Sequence, residues 1–315
     1  MERENYRAVV EWAKKPQQLE ASIDYLAEHL GRFLRPREHV LICFQKQETG
    51  SLSWLMEQAV LRCGGVPFVW GEDQRWKALL RLAFVSKSTT IIGAPLLVLG
   101  LIKLQRAYDT PLYVRKVITA GYPSMQWMID GIVAGFDCEM GGCYSLGVSG
   151  AVAGFACGHS WGVHLREDTY GVEIVDQAGK PVPEGEMGEI VLYPKSHPEL
   201  RVATGENARL ALEECECGSK APRIMDFTPG RTEEDKKIMA LGEELQSWTS
   251  ILDCALRKSA YGLEIELVVF QGEELPKLPH AAKMIIRNFD PETEIPMPYD
   301  PAEGIPPRGV RGFRP

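Results

Sequence analysis

The sequence has no excess of positive charge: 35 Lys and Arg stand against 43 Asp and Glu, giving a formal charge of −8 and a pI near 5.4. Binding to a phosphate backbone relies on clustered Lys and Arg, so nucleic acid is not an expected partner. A long apolar run is also missing. The longest, residues 91–104, is shorter than a bilayer crossing requires and is broken by Pro95 and Lys103. The opening Met1-Glu2-Arg3-Glu4 lacks the apolar stretch that follows the basic start of a secretory signal. No membrane association and a cytoplasmic location are therefore expected. Eight Cys among 315 residues that are 45% apolar do not suggest a disulfide framework, which leaves reduced thiols, some of them metal ligands.

What is present suffices for about two domains with real cores. Leu19, Ile23, Leu26, Leu30 and Phe33 recur at helical spacing, and residues 39–44 read as a buried strand. Helices near 52–63, 75–84 and 96–107 and another from Ser124 alternate with strands at 66–70, 89–92 and 114–119. Such alternation predicts βαβ units and a mainly parallel sheet with flanking helices. After Gly150 the pattern shortens: residues 170–176 and 189–193 flank a Gly- and Pro-rich turn, a hairpin signature that opens a β-rich subdomain at about 151–222. These parts make a large domain over 1–225. A charged helix from Glu233 to about 256, a strand at 263–270 and a helix near 280–288 predict a small α+β domain over 226–315, whose tail beyond Asp290 holds seven Pro.

Cys157-Gly-His-Ser-Trp-Gly-Val-His164 puts a thiol and an imidazole seven positions apart, and Cys215-Glu-Cys217 supplies two thiols in a tight turn. Thiolate and neutral imidazole at about 2.0–2.3 Å suit tetrahedral zinc. Cys215 and Cys217 are too close in sequence to bridge without strain. A Cys₃His set is the natural reading, with His159 as an alternative to His164. Scattered buried thiols are the plainer alternative, since free Cys packs as a small hydrophobe.

Around these residues a family resemblance emerges. Cys157-x₆-His164, Glu167-Asp168, Val172-Glu-Ile-Val-Asp176, Pro183-Glu-Gly-Glu-Met-Gly-Glu-Ile190 and Cys215-Glu-Cys-Gly with Ala221-Pro-Arg-Ile224 follow one another as in phenylacetate-CoA ligases and coenzyme F390 synthetase-like proteins, a branch of the adenylate-forming superfamily. The resemblance implies zinc at Cys157, His164, Cys215 and Cys217. Four protein ligands leave no position for water, so that zinc is expected to be structural. Val117-Ile-Thr-Ala-Gly-Tyr-Pro123 resembles the family's acyl-pocket segment, and Gly142-Cys-Tyr-Ser-Leu-Gly-Val148 its Tyr-Gly-Leu-Ser/Thr-Glu segment. Ala203-Thr-Gly-Glu206 resembles its Arg-Thr-Gly-Asp, and Gly230-Arg231 its hinge. It thereby implies a pocket at Tyr122, Pro123, Tyr144, Gly147, Glu206 and Arg231 for a carboxylic acid, its adenylate, ATP or AMP, or a CoA thioester, with Tyr144 stacking on adenine.

The sequence also departs from that pattern. Residues 1–15, where the phosphate loop should lie, are charged and helical in spacing, and Glu48-Thr-Gly-Ser-Leu-Ser53 reads as a helix cap through Ser51 or Ser53. The family's Mg²⁺ carboxylate falls on Val148, its ribose-binding Asp on the longer Glu206, and its catalytic Lys on Arg308 or Arg311. The expectation is a pseudoenzyme that binds an acid or its activated form without ordinary adenylation. Alternatives are an acyl/aryl-CoA ligase or acyltransferase with a rebuilt site, Cys143 serving as acyl acceptor; a ligase completed by a protein partner or a homodimer; and a structural assembly subunit.

Overall fold

The apolar stripe at 19, 23, 26 and 30 is buried on one face of a helix in a computed structural model of the protein. The structure describes residues 2–44, 48–71, 73, 75–122, 124–147, 149–159, 162–229, 233–259, 261–278, 280–281, 283–290, 292 and 313–314. The chain begins with α1 (Glu2–Ala13) and α2 (Pro16–Leu30), whose proline sits in the first turn, where a missing N–H costs nothing. β1 (His39–Cys43), α3 (Leu52–Arg62), β2 (Val66–Val69), α4 (Trp76–Ser86), β3 (Thr90–Gly93), α5 (Pro95–Ala107), β4 (Lys116–Thr119), α6 (Gln126–Phe136) and β5 (Glu139–Ser145) follow. The five strands pair in parallel in the order β2-β1-β3-β4-β5.

The β-rich part comprises β6 (Val152–Phe155), β7 (Val163–Leu165), β8 (Tyr170–Val175), β9 (Gly188–Pro194), β10 (Val202–Ala211) and β11 (Arg223–Pro229). β8 and β9 form the expected hairpin. This part is not a separate layer. β5 pairs in parallel with β4 and antiparallel with β6, so one 11-stranded sheet continues as β6-β7-β11-β10-β9-β8. Its apolar residues gather with Tyr6, Val9 and Trp12 of α1 into a second core beside the large one around β1–β5.

The third core belongs to α7 (Glu233–Ser247), β12 (Ile251–Ser259), β13 (Gly262–Val269), β14 (Lys283–Asn288) and β15 (Phe313–Arg314), a four-stranded sheet in the order β14-β13-β12-β15 with one helix. Two expectations fail here. The helix expected to reach about 256 stops at Ser247, and the rest is β12, because Cys254 and Leu256 alternate into this core with period two while Leu252 faces the large core from the other side of the strand. The helix expected near 280–288 is instead β14, paired in parallel with β13. Its Ile285-Ile286 pair is β-branched and favours a strand once an open sheet edge is at hand.

Ser51 accepts a hydrogen bond from the Trp54 amide at 3.3 Å and so caps α3, as its spacing suggests. The loop before it touches the start of β6: a Cβ on Gly150 would stand 2.2 Å from the Gly50 carbonyl oxygen. Only glycine allows that backbone approach.

The small sheet docks on α5. Leu252, Val268, Phe270 and Phe289 pack into the large core, and Glu292 pairs with Arg75 and Lys77. Lys103 Nζ donates to the carbonyls of Gln246 and Ile251, each at 2.6 Å, closing the end of α7 and the start of β12. Burial lowers the Lys103 pKa to about 8. Lys103→Met removes the donor to both carbonyls and is expected to cost about 2–4 kcal/mol. Amide exchange should then rise in β12 before it rises in β8 or β9; equal exchange in wild type and variant would contradict this.

Candidate ligand pocket and metal centre

Cys157 stands just beyond β6, after Ala156 donates its amide to the Gly142 carbonyl at 2.7 Å. His164 lies in β7, opposite Phe155 of β6 and Arg223 of β11. Cys215 and Cys217 occupy the turn between β10 and β11, which is closed by Gly218 N–H to Cys215 O at 2.8 Å and Cys215 N–H to Ser219 O at 2.9 Å. Gly218 has φ +82, where a side chain would be strained.

The four potential ligand atoms lie within 4.8 Å of one another. The sulfurs of Cys157 and Cys215 are 3.7 Å apart, and Cys217 Sγ is 3.5 Å from His164 Nε2. A tetrahedral zinc with ordinary bond lengths has S···S edges of about 3.8 Å and S···N edges of about 3.6 Å. These donor separations therefore suit zinc. His164 Nδ1–H donates to the Ala221 carbonyl at 3.2 Å, which leaves Nε2 as the free lone pair facing the thiols. Burial and the neighbouring Cys215 and Cys157 push the Cys217 thiol up, and a cation would reverse that. His159 is exposed and its ring is outside the cluster; its amide donates to Cys157 Sγ at 3.4 Å. Between the two histidines, the geometry brings His164 to the thiols.

A cavity of about 300 Å³ adjoins the cluster at the carboxyl ends of β4 and β5, where open α/β sheets commonly bind ligands. Tyr144 is buried, its ring centroid 5.5 Å from that of Phe227 at 34°. Its hydroxyl donates to Glu206 Oε2 at 2.8 Å. Burial raises the Glu206 carboxyl to about 7, although the Tyr144 bond pulls the other way. The Tyr144 phenol is itself held well above its usual value by burial and by that carboxylate. Ser124 Oγ donates to Thr119 Oγ1 at 2.7 Å on the polar rim.

Of the residues expected in the pocket, Tyr122, Cys143 and Tyr144 line the cavity. Burial pushes the Cys143 thiol up to about 12, which disfavours the thiolate an acyl acceptor needs. Glu206 stands behind Tyr144 and Gly147 forms a turn at φ +59, its carbonyl accepting Ser145 Oγ at 2.7 Å; neither is among the described lining residues. Pro123, Val148, Arg231, Arg308 and Arg311 lie outside the described residues. Phe227, Thr119 and Ser124 line the cavity without having been expected there. The last two flank the Ala-Gly-Tyr-Pro segment and were in reach of sequence reasoning; Phe227 reaches the cavity only through the pairing of β11 with β7.

No family model matches the sequence, and no curated protein matches it. Solved structures do. A 2-hydroxyisobutyryl-CoA ligase in the postadenylation state with 2-HIB-AMP superposes with a TM-score of 0.64 at 17% identity, covering 81% of this chain and 59% of that one. A benzoate CoA ligase from Burkholderia xenovorans LB400 gives 0.54 at 14% identity, over 84% and 61% of the two chains. The amide bond synthetase McbA from Marinactinospora thermotolerans gives 0.52 at 15% identity, again over 84% and 61%. The chain has the adenylate-forming fold. It spans about three-fifths of the length of those enzymes. Within this fold no helix among the described residues is long and apolar enough to cross a membrane.

Proposed function

We propose that this protein is a divergent member of the phenylacetate-CoA ligase-like branch that binds an acyl or aryl acid, its adenylate or its CoA thioester without ordinary ATP-dependent adenylation. In this reading the large domain spans 1–225, the small one 226–315, and a structural zinc is held by Cys157, His164, Cys215 and Cys217. The observation that carries it is the cavity beside Tyr144, which stands next to a closed Cys₃His donor set yet has no Asp, Glu, Lys or Arg among its described lining residues. Adenylation needs such charges to hold metal and phosphates.

Three further observations support the reading. Ser51 is engaged as a helix cap, the Glu206 carboxylate already accepts the Tyr144 hydroxyl, and Cys143 is held as the thiol. Tyr144, Phe227 and Tyr122 offer aromatic surface to a planar ring, and Thr119 and Ser124 offer hydroxyls to its polar end. Among the fold neighbours, the 2-hydroxyisobutyryl-CoA ligase is seen with 2-HIB-AMP and CoA, and an anthranilate CoA ligase with anthranoyl-AMP. Zinc, when bound, would hold the β6 end, β7 and the β10–β11 turn together and supply no reacting group.

Calorimetric titration with a non-hydrolysable benzoyl-adenylate analogue, run beside ATP–pyrophosphate exchange over a panel of aryl and short acyl acids, tests this. Saturable binding with exchange at the blank level is expected. Exchange above the blank would assign the protein to the active ligases. Failure to bind the analogue, the acids or their thioesters would leave only an assembly role.

A further inference from the structure

The ligand cavity stands at the carboxyl ends of the parallel strands, and their amino ends form a second surface on the opposite side of the sheet. The segments leading into four strands lie there side by side. Arg37 N–H donates to the Gly64 carbonyl at 2.7 Å, Thr89 N–H to that of His39 at 3.2 Å and Arg115 N–H to that of Thr89 at 2.8 Å, which ties the starts of β2, β1, β3 and β4 into one row. At about 4.8 Å between neighbouring strands the row is about 14 Å long. It carries apolar side chains that the described fold leaves uncovered: Tyr113 is 80% exposed, Val85 59% and Phe84 53%, with Leu61 and Val66 exposed at the β2 end. It also carries four exposed cations, Arg35, Arg37, Lys87 and Arg115, none of them in an ion pair among the described residues. Glu38, the acid beside them, is already held by Lys116 Nζ at 3.0 Å and Thr90 Oγ1 at 2.6 Å.

A chain of net charge −8 thus presents one end where unpaired positive charge surrounds exposed aromatic and aliphatic groups. Exposed apolar surface rimmed by charge marks an interaction site. The mixture selects the class of partner. Three of the four cations are Arg, and protein interfaces are rich in Arg and aromatic residues and poor in Lys. Exposed Asp109, Asp137 and Glu139 border the same end. An anionic bilayer would meet them with repulsion, whereas the carboxylates of a peptide can be placed to avoid them. Two copies of the same basic end also repel, which disfavours a symmetric contact between copies. We propose that the amino end of the parallel sheet is a docking surface for an acidic segment of a partner protein, its carboxylates meeting Arg37 and Arg115 and its apolar side chains seating against Phe84, Val85 and Tyr113. Docking there leaves the cavity open, since the two surfaces lie at opposite ends of the same strands. It rests on the fold alone and is independent of what the cavity and the Cys₃His cluster hold.

The full chain with benzoylphenylalanine at position 113 is photo-cross-linked in the cell that produces it, with the same group at Met187, exposed just before β9, as the control. The captured peptide is sequenced by mass spectrometry. The protein it belongs to is then purified and titrated with the wild-type chain and with the doubly reversed Arg37→Glu, Arg115→Glu form. Expected are an adduct from position 113 and none from 187, a captured peptide with more Asp and Glu than Lys and Arg, and binding about tenfold weaker in the reversed form at an unchanged thermal midpoint. The neutral Arg37→Gln, Arg115→Gln form should give part of that loss, and added salt should weaken the wild type more than the reversed form. No adduct at 113, a neutral or basic captured peptide, or equal affinity of wild-type and reversed forms would overturn the proposal. A captured peptide from this chain itself would overturn it in favour of a self-contact. Sedimentation of the wild type, but not the reversed form, with vesicles of phosphatidylserine and phosphatidylcholine would overturn it in favour of a membrane surface.

Discussion

Chelation of the zinc-loaded protein is expected to lower its thermal midpoint by about 6 °C. A ligand free at a thousand times its dissociation constant stabilises the folded chain by about 4 kcal/mol, and each kcal/mol moves the midpoint of a chain of this size by about 1.5 °C. The loss should be large because of what the four donors join. β7 has only three residues and two paired positions with each neighbour, so its own ladders hold it weakly. The Cys215–Cys217 turn likewise depends on two short-range amide bonds. Replacing Cys217→Ser should reproduce most of the shift without chelator, since a hydroxyl is a poor zinc ligand. A calorimetric midpoint that is unchanged by chelation would show that the cluster contributes nothing to stability.

Glu206→Gln is expected to stabilise the protein at pH 8 and to leave it nearly unchanged at pH 4. The folded carboxyl titrates at about 7, whereas an unfolded Glu titrates near about 4.3. Between these values the folded chain keeps a proton that the unfolded chain has released. Stability therefore falls as pH rises through that window, and the full penalty is present above pH 7. The shift corresponds to on the order of 3 kcal/mol, an upper figure because the residue is only half-buried and solvent screens it. Gln has no charge to desolvate, and its carbonyl can still accept the Tyr144 hydroxyl. Urea unfolding at both pH values checks this; an equal wild-type and variant midpoint at pH 8 would contradict it.

The parallel sheet was legible because βαβ order is written in local periodicity, which 39–44, 52–63 and 66–70 carry plainly. The donor set was legible for a different reason: thiol and imidazole are scarce residue types, and their spacing is specific. Spacing alone left His159 open beside His164 and only the resemblance favoured His164, because the choice depends on β7 lying between β6 and β11. Long-range pairing hid the rest. β14 becomes a strand only because β13 offers an edge, and Tyr144 meets Glu206 across 62 positions. Lys103 looked like an interruption of an apolar run, yet it reaches the carbonyls of Gln246 and Ile251 in another unit of the fold.

In the proposed reading the β-rich part is held by a closed centre of three sulfurs and one nitrogen. X-ray absorption at the zinc edge of the loaded full chain measures that directly. Three sulfurs at about 2.3 Å and one nitrogen at about 2.0–2.1 Å are expected, with no oxygen ligand. A shell dominated by oxygen and nitrogen, or one that retains a water, would contradict it.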